Sequence, residues 1–186
     1  VECDYILVSH AHGDHLGDAP SIAARTGAKI VSTPEVISVC ESQSLAEIAS
    51  CPMNIGGSLN LPFGKVRMTF AQHSAGVAGG IACGFVVYIG GRTVYYAGDT
   101  ALFSDMQLIG RKDSIDYAVL PIGDNYTMGL EDAAMAAQWV NAGHVIPIHY
   151  NTWPVIKQEA RHYKDVTEAM TRARVHIMAP GDTMEL

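Results

Sequence analysis

The chain has 186 residues, 48% of them hydrophobic and 17% charged, which suits one domain with a substantial core and excludes a disordered chain. Its net charge of −7, from 19 acidic and 12 basic residues with no basic block, counts against a nucleic-acid partner, which is held through a positive field. No run reaches the roughly 18 apolar residues that cross a bilayer, so no membrane partner is expected, and four cysteines without a CxxC pair (Cys3, Cys40, Cys51, Cys83) point to free thiols in a reducing cytoplasm.

YILVS (5–9) is an aromatic and β-branched run of strand length that stops abruptly at His10, so HAHGDH (10–15) lies at a strand end and in the loop after it. A helix is expected from Asp18 to about Arg25, with Gly27 as its stop. KIVST (29–33) reads as a short strand, and Pro34 opens the next helix. Residues 49–62 are irregular or short-stranded. KVRMTFAQH (65–73) begins as an alternating strand and ends at a histidine, and CGFVVYIGGRTVYYAGDT (83–100) is a hairpin turning at Gly90-Gly91. A helical segment near residues 102–109 precedes DYAVLPIGD (116–124), which is strand-like and ends in glycine and aspartate. LEDAAMAAQWVNAG (130–143) is a helix stopped by Gly143, and VIPIH (145–149) is an apolar strand ending at another histidine. A helix from Pro154 to about Tyr163 and a strand over 174–180 complete the pass. Hairpins mixed with strand–helix alternation predict mixed sheets flanked by helices.

A ligand-capable residue recurs at strand C-terminal ends: His10, His73, Asp99, Asp124 and His149. His10 and His12, two apart, point to one face if the strand direction continues. Asp14 and His15 are adjacent and diverge from them on a turn or a first helical turn. One cluster can thus feed two neighbouring divalent ions, His10 and His12 on one, Asp14 and His15 on the other. His73, Asp99 and His149 are the strand-end residues left to complete two sites, and a carboxylate such as Asp99 can bridge two cations. His144 is read as structural or peripheral, His162 as part of a solvated helix face, and His176 as core or sheet surface rather than a ligand. Asn125, Tyr126, Asn151 and Trp153 lie beside strand ends and are candidates for shaping a substrate pocket.

HAHGDH, AQHS, AGDT and PIHYN, in that order, resemble the metallo-β-lactamase superfamily. VLPIGDNYTMG (119–129), VIPIHYNTWP (145–154) and the closing APGDTMEL are similar to its UlaG-like, UPF0173-like branch of uncharacterised metal-dependent hydrolases. The resemblance implies an α/β fold, a four-layer αβ/βα sandwich spanning residues 1–186, with one ion on His10, His12 and His73, the other on Asp14, His15 and His149, and Asp99 bridging. It also implies further strands ahead of this motif. The expectation is therefore an N-terminally incomplete domain, finished by a separate fragment or chain, with a homo-oligomer as another form of partner.

The implied function is hydrolysis of a small, anionic ester, lactone or phosphoester by a hydroxide held between two divalent ions, with Asp14 and Asp99 in catalytic roles. Zinc and manganese stand ahead of iron and nickel as the metal. A phosphodiesterase or nuclease of the same superfamily, a flavin-partnered redox protein and a non-enzymatic metal-binding protein are the competing readings.

Overall fold

The computed structural model describes residues 1–185. Three strands, β1 (Tyr5–Leu7), β2 (Lys29–Ser32) and β3 (Ser50–Pro52), form a parallel sheet in the order β1-β2-β3. Parallel neighbours need crossovers. Helices α1 (Gly13–Leu16) and α2 (Ala19–Thr26) supply the first, and α3 (Pro34–Gln43) the second. A seven-stranded sheet follows, in the order β10-β9-β8-β7-β6-β5-β4. Its members β4 (Ser58–Leu61), β5 (Gly64–Phe70), β6 (Cys83–Ile89) and β7 (Arg92–Tyr96) pair antiparallel. From β7 onward, β8 (Tyr117–Pro121), β9 (His144–Ile148) and β10 (Arg174–Val175) add in parallel, crossed by α4 (Met106–Lys112), α5 (Leu130–Val140) and α6 (Ala160–Met170).

The strand period of two sorts the core into layers. On β2, Ile30 faces α2 and α3 with Ala23, Val36 and Cys40, whereas Val31 faces the other sheet and meets Met53, Val66, Met68 and Phe85. On the far side of the large sheet, Leu120 and Val145 pack against Met106, Ala133, Ala137 and Tyr163 of α4, α5 and α6. Helices, sheet, sheet, helices: the expected four-layer αβ/βα sandwich is present.

Several boundaries differ from expectation. Helix α5 stops at Asn141, whose left-handed φ of 51° lets it take the C-cap ahead of Gly143. Pro154 opens only a 3-10 turn over Pro154–Ile156, and α6 starts later, where the Glu159 side chain accepts from the Arg161 backbone N–H at 3.2 Å. The last strand is two residues long rather than seven, and His176, expected within it, lies just beyond. Helix α4 begins four residues later than residue 102, after a turn at 104–105. Among the described residues no helix is long and apolar enough to cross a membrane.

Candidate metal centre

Strand ends carry the site. β1, β5, β7 and β9 run out toward His10, His73, Asp99 and His149, and the short helix α1 lifts Asp14 and His15 into the same space while its Leu16 is buried. The backbone there is tied to both sheets. Val8 N–H donates to Val31 O on β2 at 3.1 Å, and Cys83 N–H at the start of β6 donates to Ser9 O at 3.0 Å. The His73 loop closes on the first cluster through Ala11 N–H to Ala75 O at 2.8 Å. Gly76 makes that approach sterically feasible: its φ is 70°, and a Cβ there would sit 2.7 Å from the His12 backbone nitrogen.

Three overlapping groups bring their ligand atoms within 4.8 Å of one another: His10 with His12 and His73, His10 with His15 and Asp99, and Asp14 with His15 and His149. Asp99 lies between them, its Oδ2 3.2 Å from His15 Nε2, 3.3 Å from His149 Nε2 and 3.7 Å from His73 Nε2. His149 Nε2 is 3.4 Å from Asp14 Oδ2, and His10 Nε2 is 2.9 Å from His12 Nδ1. All seven residues expected to form the centre converge.

The polar atoms at this point lack partners among the protein's own groups. His15 Nε2, Asp99 Oδ1 and both ring nitrogens of His149 are buried without a hydrogen bond, and such a group costs about 1–3 kcal/mol each unless something satisfies it. Imidazoles and carboxylates aimed at common points fit divalent ions of the zinc, manganese and iron class. Electrostatics favour the same use. Burial, then the neighbouring His15, push His10 down to about 3, so its ring is neutral. Burial also lowers His73, against the pull of Asp99. Burial works to raise Asp99 but is outweighed by His15 and His149, which hold the carboxyl below its usual range. His15 holds its proton more tightly than usual because Asp99 and Asp14 outweigh its burial.

Ser9, the residue before the motif, backs its first histidine. Its Oγ lies 3.0 Å from His10 Nδ1, which leaves Nε2 facing the centre. Ser74 Oγ lies 3.4 Å from His12 Nε2. Both contacts depend on tertiary approach, and no spacing signals them.

A cavity of about 430 Å³ opens over the centre, floored by His12, Asp14, His73, Asp99 and His149 and walled by Ser74, Tyr126 and Trp153. Two of the four pocket candidates thus line it. Asn125 and Asn151 do not; they hold left-handed backbone (φ 44° and 62°), which asparagine tolerates, and Asn151 Oδ1 accepts from Gln158 N–H at 2.8 Å. Asp124, also left-handed at φ 60°, likewise serves its turn, accepting from Thr127 N–H at 3.0 Å. His144 and His176 are away from the centre and face each other, Nδ1 to Nε2 at 2.8 Å.

Two back-to-back sheets with a histidine–aspartate centre on their shared strand-end edge define a protein of metallo-β-lactamase architecture. The family described as the β-lactamase superfamily domain matches residues 1–150. A UPF0173 metal-dependent hydrolase of Natranaerobius thermophilus is 46% identical over 186 residues, covering 100% of this chain and 82% of that relative. One from Desulforamulus reducens is 48% identical over 194 residues, covering 100% of this chain and 84% of its own length. The solved structure of Igni18, described as a novel metallo hydrolase from Ignicoccus hospitalis, has a TM-score of 0.90 and 36% identity over 98% of this chain and 79% of its own. The chain belongs to the β-lactamase superfamily, in the branch of the UPF0173 proteins.

Proposed function

We propose that this chain is a hydrolase that works through two divalent ions on a small ester, lactone or phosphoester. One ion is held by His10, His12 and His73, the other by Asp14, His15 and His149, with Asp99 shared. The observation that carries this reading is the position of Asp99 Oδ2, within 3.7 Å of histidines from both sets. The name of the relatives, metal-dependent hydrolase, supports it. When bound, the ions supply hydroxide near neutral pH and offset charge developing on oxygen. Asp99, buried and held ionised, balances their charge. Asp14, with its side chain 40% exposed toward the cavity, takes the proton of the attacking water and returns it to the leaving oxygen. Zinc or manganese stands ahead of iron or nickel on donor chemistry alone.

The test is metal content of protein purified without added metal, coupled to a screen of esters, lactones and phosphodiesters. About two ions per chain and turnover that disappears on chelation are expected; metal-free protein that neither takes up ions nor turns over after their addition refutes the reading. Residues 1–186 are further proposed to act as one domain, supported by the core that Val31 of the small sheet shares with Val66, Met68 and Phe85 of the large one; a single cooperative unfolding transition is expected, and two separate transitions would remove that part. The four free cysteines support a reducing compartment such as the cytoplasm.

A further inference from the structure

We infer that the substrate is a neutral ester or lactone carrying a flat apolar group, held by Tyr126 and Trp153, rather than an anion. This rests on the hydrolase reading above and concerns what the rest of the cavity recognises. None of the chain's 12 lysines and arginines lines the cavity; apart from the metal-ligand set, its wall is Ser74, Tyr126 and Trp153. A substrate with its own phosphate or carboxylate would find no cationic side chain beyond the ions. Cations are instead gathered elsewhere, with Arg161, Lys164 and Arg174 around a separate hollow between α6 and β10.

The two aromatics are displayed, not stored. Tyr126 is 54% exposed and Trp153 40% exposed, each at the mouth of the cavity, and the Trp153 ring lies 6.1 Å from the ring of His149. Their loops are fixed. Asp124, Asn125, His149 and Asn151 all hold left-handed backbone, which turns the chain tightly at both loops. Asp124 N–H donates to Met128 O and Asn151 N–H to Ile156 O, both at 2.9 Å, and Gln158 Nε2 donates to Gly123 O at 3.4 Å, joining one loop to the other. Gly123 permits their contact, since a Cβ there would meet His149 O at 2.3 Å. Two exposed rings on braced loops, beside a small cavity of a size that suits one small molecule, form a preorganised surface for a planar apolar group. Aromatic rings stacking on such a group add binding beyond what area burial alone gives.

The experiment uses the whole metal-loaded chain and two readouts. Methyl phenylacetate and monomethyl succinate share a methyl ester and differ in a ring against a carboxylate; kcat/KM is expected to be about 10-fold higher for the ring. Benzohydroxamate and acetohydroxamate, which grip the ions without being cleaved, are compared by calorimetry, with tighter binding of the aromatic one by about 10-fold. That ratio falls toward 1 in the double variant Tyr126→Ala, Trp153→Ala at unchanged metal content, and Tyr126→Phe, Trp153→Phe restores it. Preference for the succinate ester, or a ratio that survives the alanine variant, overturns the inference while leaving the hydrolase reading intact. Failure of both hydroxamates to bind overturns the hydrolase reading, and the inference with it.

Discussion

Ser9 acts on the centre through another side chain. By taking the Nδ1 side of His10 it leaves Nε2 facing the candidate centre. Ser9→Ala is expected to weaken metal binding by about 10–100-fold without unfolding the chain, measured by competition with a chelator. His73→Ala removes one of three ligands from its set, so metal content should drop by about one ion per chain and turnover should vanish; unchanged turnover contradicts the ligand assignment. The pH behaviour of the metal-free chain follows from the same rings. An unfolded His10 takes up its proton near pH 6.5, but the folded one resists until about 3. Stability held above pH 6.5 is therefore lost as pH falls, at about 1.4 kcal/mol per unit. His73, also lowered by burial, adds to this. His15, with its pKa raised, contributes stability that is fully present below about pH 6.5 and lost as pH rises through its folded value, so it does not oppose the loss on the acid side. The denaturation midpoint of stripped protein should therefore fall between about pH 6.5 and about pH 4; a rising midpoint contradicts this. Burial alone lifts the Cys83 thiol to about 12 and is the main cause that lifts Cys40 to about 11. Thiol reagents at mild pH should therefore label Cys3 and Cys51, which are only part-buried, well before these two.

Among the elements, α4 is fastened by charge. Asp113, at its C-cap, is buried and bonds both Arg67 on β5 and Tyr88 on β6. Asp113→Ala leaves the Arg67 guanidinium buried without its partner, and should cost about 3–5 kcal/mol in urea denaturation, far more than Tyr88→Phe, which loses a single hydrogen bond. The elements that could be read from the sequence were those whose ends are set locally. Gly90-Gly91 turned the β6–β7 hairpin, Pro34 opened α3 and Gly27 closed α2, because each of these residues settles the backbone by its own conformational range. The misread ends were settled by tertiary contacts. Asn141 took the cap of α5 before Gly143 was reached, and Pro154 began a turn that the Asn151–Ile156 bond closes on itself. β10 ended early as an edge strand with a partner only on the β9 side, where His176 N–H makes a last bond to Val145 O at 2.8 Å.

Across the molecule, the four-layer fold was legible through the resemblance that HAHGDH, AQHS, AGDT and PIHYN carry. Strand ends and ligand chemistry nominated the candidate centre, with Asp124 among the same strand-end residues. What surrounds the candidate centre was not legible in that way. Ser9, Ser74 and Gly76 matter through approaches made by distant loops, and the missing cation in the cavity wall is a property of what the folded loops leave out. The candidate ligands also divide between the halves of the sandwich. His10, His12, Asp14 and His15 hang from the three-stranded sheet, and His73, Asp99 and His149 from the seven-stranded one. Each proposed ion is therefore gripped from both sides, and stripping it should lower the thermal midpoint, by the equivalent of about 2.7 kcal/mol when free metal had stood at 100 times its Kd. The same division would make the proposed ions rivets between the two sheets. The cavity above them offers an exit, so their exchange with an isotopic label should run ahead of global opening of the sandwich, while amide exchange along β1 and β2 should quicken once the ions are stripped.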